Sequence, residues 1–135
     1  PAYLKHYGTP KNSEDLQGHV RVHYNGGRTL WPILTPKGNK TTIDIPTVIS
    51  ANNGDFLCQA AIDGKGLLFS PEFICYKAIR QGQLMPILQE YWCDNTIEGY
   101  AIYPQTRHLS QRVRSLINYL CQHFGDKPYW SLANS

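Results

Sequence analysis

Residues 52–73 read NNGDFLCQAAIDGKGLLFSPEF, and this stretch decides the fold class. Asn52, Asn53 and Gly54 end one run and open an apolar helix through Phe56, Leu57, Ala60 and Ala61. Gly64 and Gly66 close that helix, and Leu67, Leu68 and Phe69 form a short, fully apolar strand. Ser70 and Pro71 then start a second helix carrying Phe73, Ile74, Lys77 and Ala78, with Pro71 placed at the first helical position, where its missing N–H costs nothing. Gly82 ends it. Strand, helix, strand and helix at such short spacing are the pattern of a parallel sheet covered by helices, so the expected class is α/β.

Upstream, residues 1–7 read as the end of a helix closed by Gly8, with Thr9 and Pro10 starting a loop. Ser13 is expected to cap a short helical turn through Glu14, Asp15 and Leu16. Two strands are predicted at 19–24, around Val20 and Val22, and at 29–34, with Leu30, Trp31 and Ile33. Asn25, Gly26 and Gly27 give the turn between them. Ile43, Ile45 and 47–50 make a β-branched run broken by Pro46, which predicts an edge strand or a bulge. Downstream, 84–88 is predicted extended, 97–103 a strand and 109–124 a helix. Leu109, Val113, Leu116, Ile117, Leu120, Cys121 and Phe124 stripe that helix at helical spacing, and Gly125 stops it.

With 135 residues, 41% hydrophobic and 17% charged, the chain suits one domain, or one lobe of a larger one plus an appendage. It begins Pro1-Ala2-Tyr3-Leu4, with no initiator Met and no basic leader before an apolar run, and is expected to be cut from a longer, cytoplasmic product. No run approaches the length that crosses a bilayer, so no membrane partner is expected. The formal charge of +3 is too small to decide for or against nucleic acid. Cys58, Cys75, Cys93 and Cys121 lack any CxxC spacing and are expected to be free, buried thiols. His19, His23 and His108 sit in no catalytic or zinc motif, so neither catalysis nor a metal or other cofactor is expected. Arg107, Arg112 and Arg114 read as a solvated helix face.

Several segments in order resemble the LysR-type transcription regulators. They are PAYL at 1–4 with Gly8, Pro10, EDL at 14–16 and His19; residues 52–73; QGQLMPIL at 81–88; and YAIYPQTRHLSQRVRSLINYLCQHF at 100–124. The last is the most specific, with Tyr103, Pro104, Arg107, His108, Leu109, Ser110, Val113 and Arg114 in place. The chain departs from the pattern at Pro46, near which the family often has Gly, and at Arg21, near which it often has Cys. The resemblance implies a type II periplasmic-binding-protein-like lobe with a mixed, mostly parallel sheet. Residues 1–96 would be the second lobe of a two-lobed effector domain. Residues 97–135 would be a crossover strand and helix returning to a first lobe that is mostly absent. It also implies a small organic effector in the interlobe cleft, association into dimers or tetramers, and DNA contact only through an amino-terminal helix-turn-helix outside this chain. A free-standing small-molecule-binding protein of the same fold is the alternative.

Ligands of parallel α/β sheets bind beyond the carboxyl ends of the strands, where helix amino-termini gather. Ser50, Ala51, Asn52 and Asn53 lie at such an end, and exposed N–H groups there would attract a carboxylate or other anion. Phe69, Ser70 and Pro71 make the next strand-to-helix turn. Tyr24 ends an earlier strand and Tyr103 the crossover strand, each joining apolar area to one polar tip. Plainer roles compete at each position: Asn52, Asn53 and Ser70 are ordinary helix caps, and either tyrosine can simply pack.

Overall fold

A computed structural model describes residues 1–27, 29–91, 100–103, 110–125 and 128–132. Arg28, Cys93, Pro104, Arg107, His108, Leu109 and the 97–99 part of the expected crossover strand lie outside the described residues. The chain forms two compact units, Pro1–Thr96 and Ile97–Ser135.

In the first unit, β1 (Arg21–Tyr24), β4 (Thr47–Ala51) and β5 (Leu67–Leu68) form a parallel sheet in the order β4-β1-β5. Helices α2 (Gly54–Ile62) and α3 (Glu72–Arg80) follow β4 and β5. This is the architecture that residues 52–73 predict. Pro46 lies just before β4, where its carbonyl accepts the Arg21 N–H at 2.9 Å. The register then jumps, Arg21 opposite Thr47 but Val22 opposite Ile49, so β4 is both an edge of this sheet and bulged at Val48.

The expected turn at Asn25–Gly27 exists, with Gly27 N–H on the Tyr24 carbonyl at 2.8 Å, but it does not close a hairpin. β2 (Trp31–Leu34) leaves the sheet and pairs antiparallel with β3 (Lys40–Ile43), a strand that the sequence reading missed. Its signal was the turn TPKGN at 35–39: Gly38 has φ 80° and donates to the Thr35 carbonyl at 2.8 Å.

Alternation sorts the sheet into two faces. Val22, with Ile49 and Leu68 against it, packs on Leu57, Ala60 and Ala61 of α2. On the opposite face Leu67 joins Trp31, Ile33, Ile43 and Ile45 in a core shared with the β2–β3 hairpin, Tyr3 and Leu16. A third cluster joins Cys58 of α2 to Cys75 and Ala78 of α3.

At the amino end, α1 (Ala2–Tyr7) closes on Gly8, and Tyr3 anchors it by accepting the Val20 N–H at 3.0 Å on its hydroxyl. His19 precedes β1 rather than belonging to it, buried against the Tyr3 hydroxyl at 3.3 Å. The turn at Glu14–Gly18 is a 3-10 helix that Ser13 does not cap. The Asn12 side chain does so instead, accepting the Asp15 N–H at 2.9 Å. Pro71 sits one position before α3 rather than inside it, in extended backbone at ψ 145°. Residues 84–88 form no strand, since Leu84 N–H folds back onto the Ala78 carbonyl at 3.1 Å.

In the second unit, α4 (Gln111–Phe124) starts two residues later than expected, with the Ser110 hydroxyl accepting the Val113 N–H at 3.4 Å. None of its residues is buried, and Val113, Leu116 and Phe124 of the apolar stripe are exposed. Residues 100–103 carry no strand. No described helix is long and apolar enough to cross a membrane.

Candidate functional site

Because β1, β4 and β5 are parallel, their carboxyl ends share one edge of the sheet, and α2 and α3 both begin there. Tyr24, Ser50, Ala51, Asn52, Asn53, Phe69, Ser70 and Pro71 therefore gather at that edge, as expected. Tyr103 belongs to the other unit, where it is exposed.

The first turns of the two helices pack side by side. A Cβ built on Gly54 would meet Ile74 Cδ1 at 2.5 Å, so the bare glycine lets α3 approach the start of α2. Asn53 is the α2 cap: its side-chain oxygen accepts the Phe56 N–H at 2.9 Å, and its carbonyl accepts the Leu57 N–H at 3.2 Å. The plain reading of Asn53 thus holds, while Asn52 stays exposed beside it. Ser70 is not a cap. Among the described residues its half-buried hydroxyl makes only a long contact, to the Pro71 carbonyl at 3.4 Å, leaving most of its hydrogen-bonding capacity open there.

Charge at this edge is modest. The positive ends of both helices meet acids in their own first turns, Asp55 in α2 and Glu72 in α3, which offsets the pull on an anion. Next to Ser50 in the register lies His23, which the sequence reading weighed only as a metal ligand or base. Burial, and then the Arg21 charge, hold its imidazole below the usual histidine range, so it is neutral at neutral pH.

The cysteines divide by environment. Cys58 and Cys75 are free and buried between α2 and α3, while Cys121 is exposed, against expectation, because nothing covers that face of α4 among the described residues. The Cys58 thiol is pushed up to about 12 by burial first, then by the charge of Cys75, a hydrogen bond with Cys75 and the charge of Asp55. A thiol in that state is a poor nucleophile. Native iodoacetamide labelling near pH 8 is expected to modify Cys121 roughly a hundred times faster than Cys58, or more. Peptide mapping would show it, and comparable rates would mean that the α2–α3 seam opens and that Cys58 is a reactive residue.

Comparison with known proteins adds four findings. A family model described as "LysR substrate binding domain" matches residues 1–125. The HTH-type transcriptional regulator CrgA of Neisseria meningitidis serogroup B is 28% identical over 128 residues, 93% of this chain and 42% of that protein. The HTH-type transcriptional activator TtdR of Escherichia coli K12 is 26% identical over 134 residues, 95% of this chain and 42% of that protein. The CrgA regulatory domain is also similar in three dimensions, with a TM-score of 0.77 at 28% identity over 93% of this chain and 61% of that one. The chain thus spans about two fifths of the length of these regulators.

Proposed function

We propose, from the premise that this chain belongs to the LysR substrate-binding domain family, that it is the sensing part of a bacterial transcription regulator and binds a small organic effector at the carboxyl edge of β1, β4 and β5. Its fold is the type II periplasmic-binding-like one of that family. One observation supports the reading: the starts of α2 and α3 lie side by side, with Ser50 near the end of β4 and with Asn52 and the Ser70 hydroxyl on the turns that lead into them. Such an edge offers backbone N–H groups and side-chain hydroxyls to a ligand without any reactive nucleophile, which suits recognition rather than chemistry.

On this reading the Pro1–Thr96 unit is the second lobe of a two-lobed domain. Residues 97–135 return to a first lobe outside the chain, and the exposed apolar stripe of α4 is the surface that this lobe covers. An effector that binds the closed arrangement better shifts the population toward it, and subunit geometry passes the change to DNA through a helix-turn-helix elsewhere in the protein. Self-association as a dimer or tetramer and a cytoplasmic location belong to the same proposal.

The experiment is a titration of the 15N-labelled chain with small carboxylates, amines and uncharged hydroxy compounds. Saturable amide shifts are expected for residues 50–53, 69 and 70 with at least one of these classes. Shifts confined to other faces of the unit would refute the assignment.

A further inference from the structure

We infer that His23 is the polar centre of the effector pocket and that, with Ser50 and Phe69, it takes a flat, uncharged molecule bearing a hydroxyl. The inference rests on the proposed effector role of this edge and adds a residue and a ligand class to it.

The argument starts from alternation along three strands. Val22 faces α2, so Arg21 and His23 face the other way, toward the hairpin. Ile49 and Leu68 also side with Val22, which turns Ser50 and Phe69 out on the face of His23. Ser50 is the register partner of His23. Phe69 follows Leu68, the partner of Val22, and its ring lies 5.6 Å from that of Trp31. A hydroxyl, an imidazole and a phenyl ring thus form one row across the sheet at its carboxyl edge. The indole of Trp31 backs the row and is itself held under the Arg21 guanidinium at 5.8 Å. The turn after β1 folds beside the imidazole, since a Cβ on Gly27 would come within 3.9 Å of His23 Cε1.

The half-buried imidazole of His23 makes no hydrogen bond among the described residues, and its ring nitrogens reach solvent, where a ligand hydroxyl can replace water. Being neutral, it offers one donor and one acceptor to whatever lies against it. The neighbouring charges favour an uncharged partner. Asp55 and Glu72 stand at the two helix starts, while Arg21 is committed to Thr47, to the Thr29 carbonyl and to Asp44. An aromatic or similarly flat body would lie along Phe69 and Trp31, with its hydroxyl between His23 and Ser50.

Phenol is a direct probe, with toluene as the ring without a hydroxyl and benzoate as the ring with an anion. Each is titrated into the full 135-residue chain while the amides of residues 22–24, 49–51 and 68–70 are followed. Phenol is expected to bind this row more tightly than benzoate. His23→Leu should weaken phenol about five- to tenfold, the worth of one net hydrogen bond, and leave toluene within about twofold. His23→Gln, which keeps a hydrogen-bonding tip, should retain most of the phenol affinity and shows that the variant site is folded. If phenol shifts the edge equally in His23→Leu, the role of His23 is refuted while the effector reading stands. Tighter binding of benzoate than of phenol at these residues would refute the uncharged class. If none of the three probes shifts the edge, this inference fails, whereas the effector reading falls only if the wider set of carboxylates, amines and hydroxy compounds also leaves the edge unmoved.

Discussion

Replacing Arg21 by alanine is expected to cost about 3–4 kcal/mol of stability, among the largest effects of any single substitution in the chain. The side chain is 3% exposed yet carries a full charge, and it is tolerated there because its donors are used. Its Nε donates to Thr47 Oγ1 at 2.8 Å, tying β1 to the start of β4, and its Nη1 donates to the Thr29 carbonyl, tying β1 to the approach of β2. Its stem and guanidinium also pack against Trp31, at 5.8 Å from the ring centre. The ion pair with Asp44 is the minor part: at 3.6 Å, to a carboxylate 72% exposed, it is screened by water, and Asp44→Asn should cost under about 1 kcal/mol. Arg21→Met separates packing from hydrogen bonding. It keeps the contact with Trp31 and leaves Thr29 and Thr47, both exposed, able to turn to water, so it should recover a sizeable part of the loss. Urea unfolding followed by circular dichroism measures all three. A loss under about 1 kcal/mol for Arg21→Ala would show that the guanidinium does not join the hairpin to the sheet.

The second large effect is expected at Gly66, and it is a matter of backbone rather than side chain. Gly66 enters β5 so close to β1 that an added Cβ would lie 2.8 Å from the Val20 carbonyl oxygen and 3.2 Å from the Arg21 Cα. These neighbours cannot swing aside, because the same Val20 carbonyl accepts the Leu67 N–H at 2.8 Å and so holds β5 in the sheet. Gly66→Ala must push the strands apart, at a cost of about 3 kcal/mol. Gly54→Ala is the control. There the obstacle is the far end of the Ile74 side chain, which can change rotamer, and alanine is the better helix former, so the net change should stay within about 1 kcal/mol. Equal losses at both positions would refute the distinction. A loss at Gly66 should also weaken effector binding, since β5 carries Phe69 to the edge.

The candidate edge was legible because its residues are local neighbours of helix starts, and most of the rest was hidden by long-range pairing. Asn53 before Gly54, and Ser70 before Pro71, announce strand-to-helix turns in any parallel α/β chain, so the positions of the turns followed from the residues alone. What each side chain does at its turn did not follow. Asn53 turned out to be the cap and Ser70 not, because the extended backbone of Pro71 keeps the Ser70 hydroxyl away from the N–H groups of α3. His23 was passed over because its neighbour Ser50 lies 27 positions further along and meets it only through the register of β1 with β4.

Taken alone, residues 52–73, with the β-branched run before them and the apolar helix pattern after them, determine the βαβα unit and the parallel sense of its strands. Apolar periodicity, glycine stops and caps act within a few residues of one another, and their energetics need no distant partner. Which strand neighbours which is another matter. The turn Asn25–Gly27 would join β1 and β2 equally well as a hairpin. Only the competition for hydrogen bonds and burial decides against it: β4 and β5 take both edges of β1, while Trp31 and Ile33 find their core beneath the sheet with Ile43 and Ile45. That competition depends on residues far apart in the chain, and it is what places a neutral imidazole between a hydroxyl and an aromatic ring.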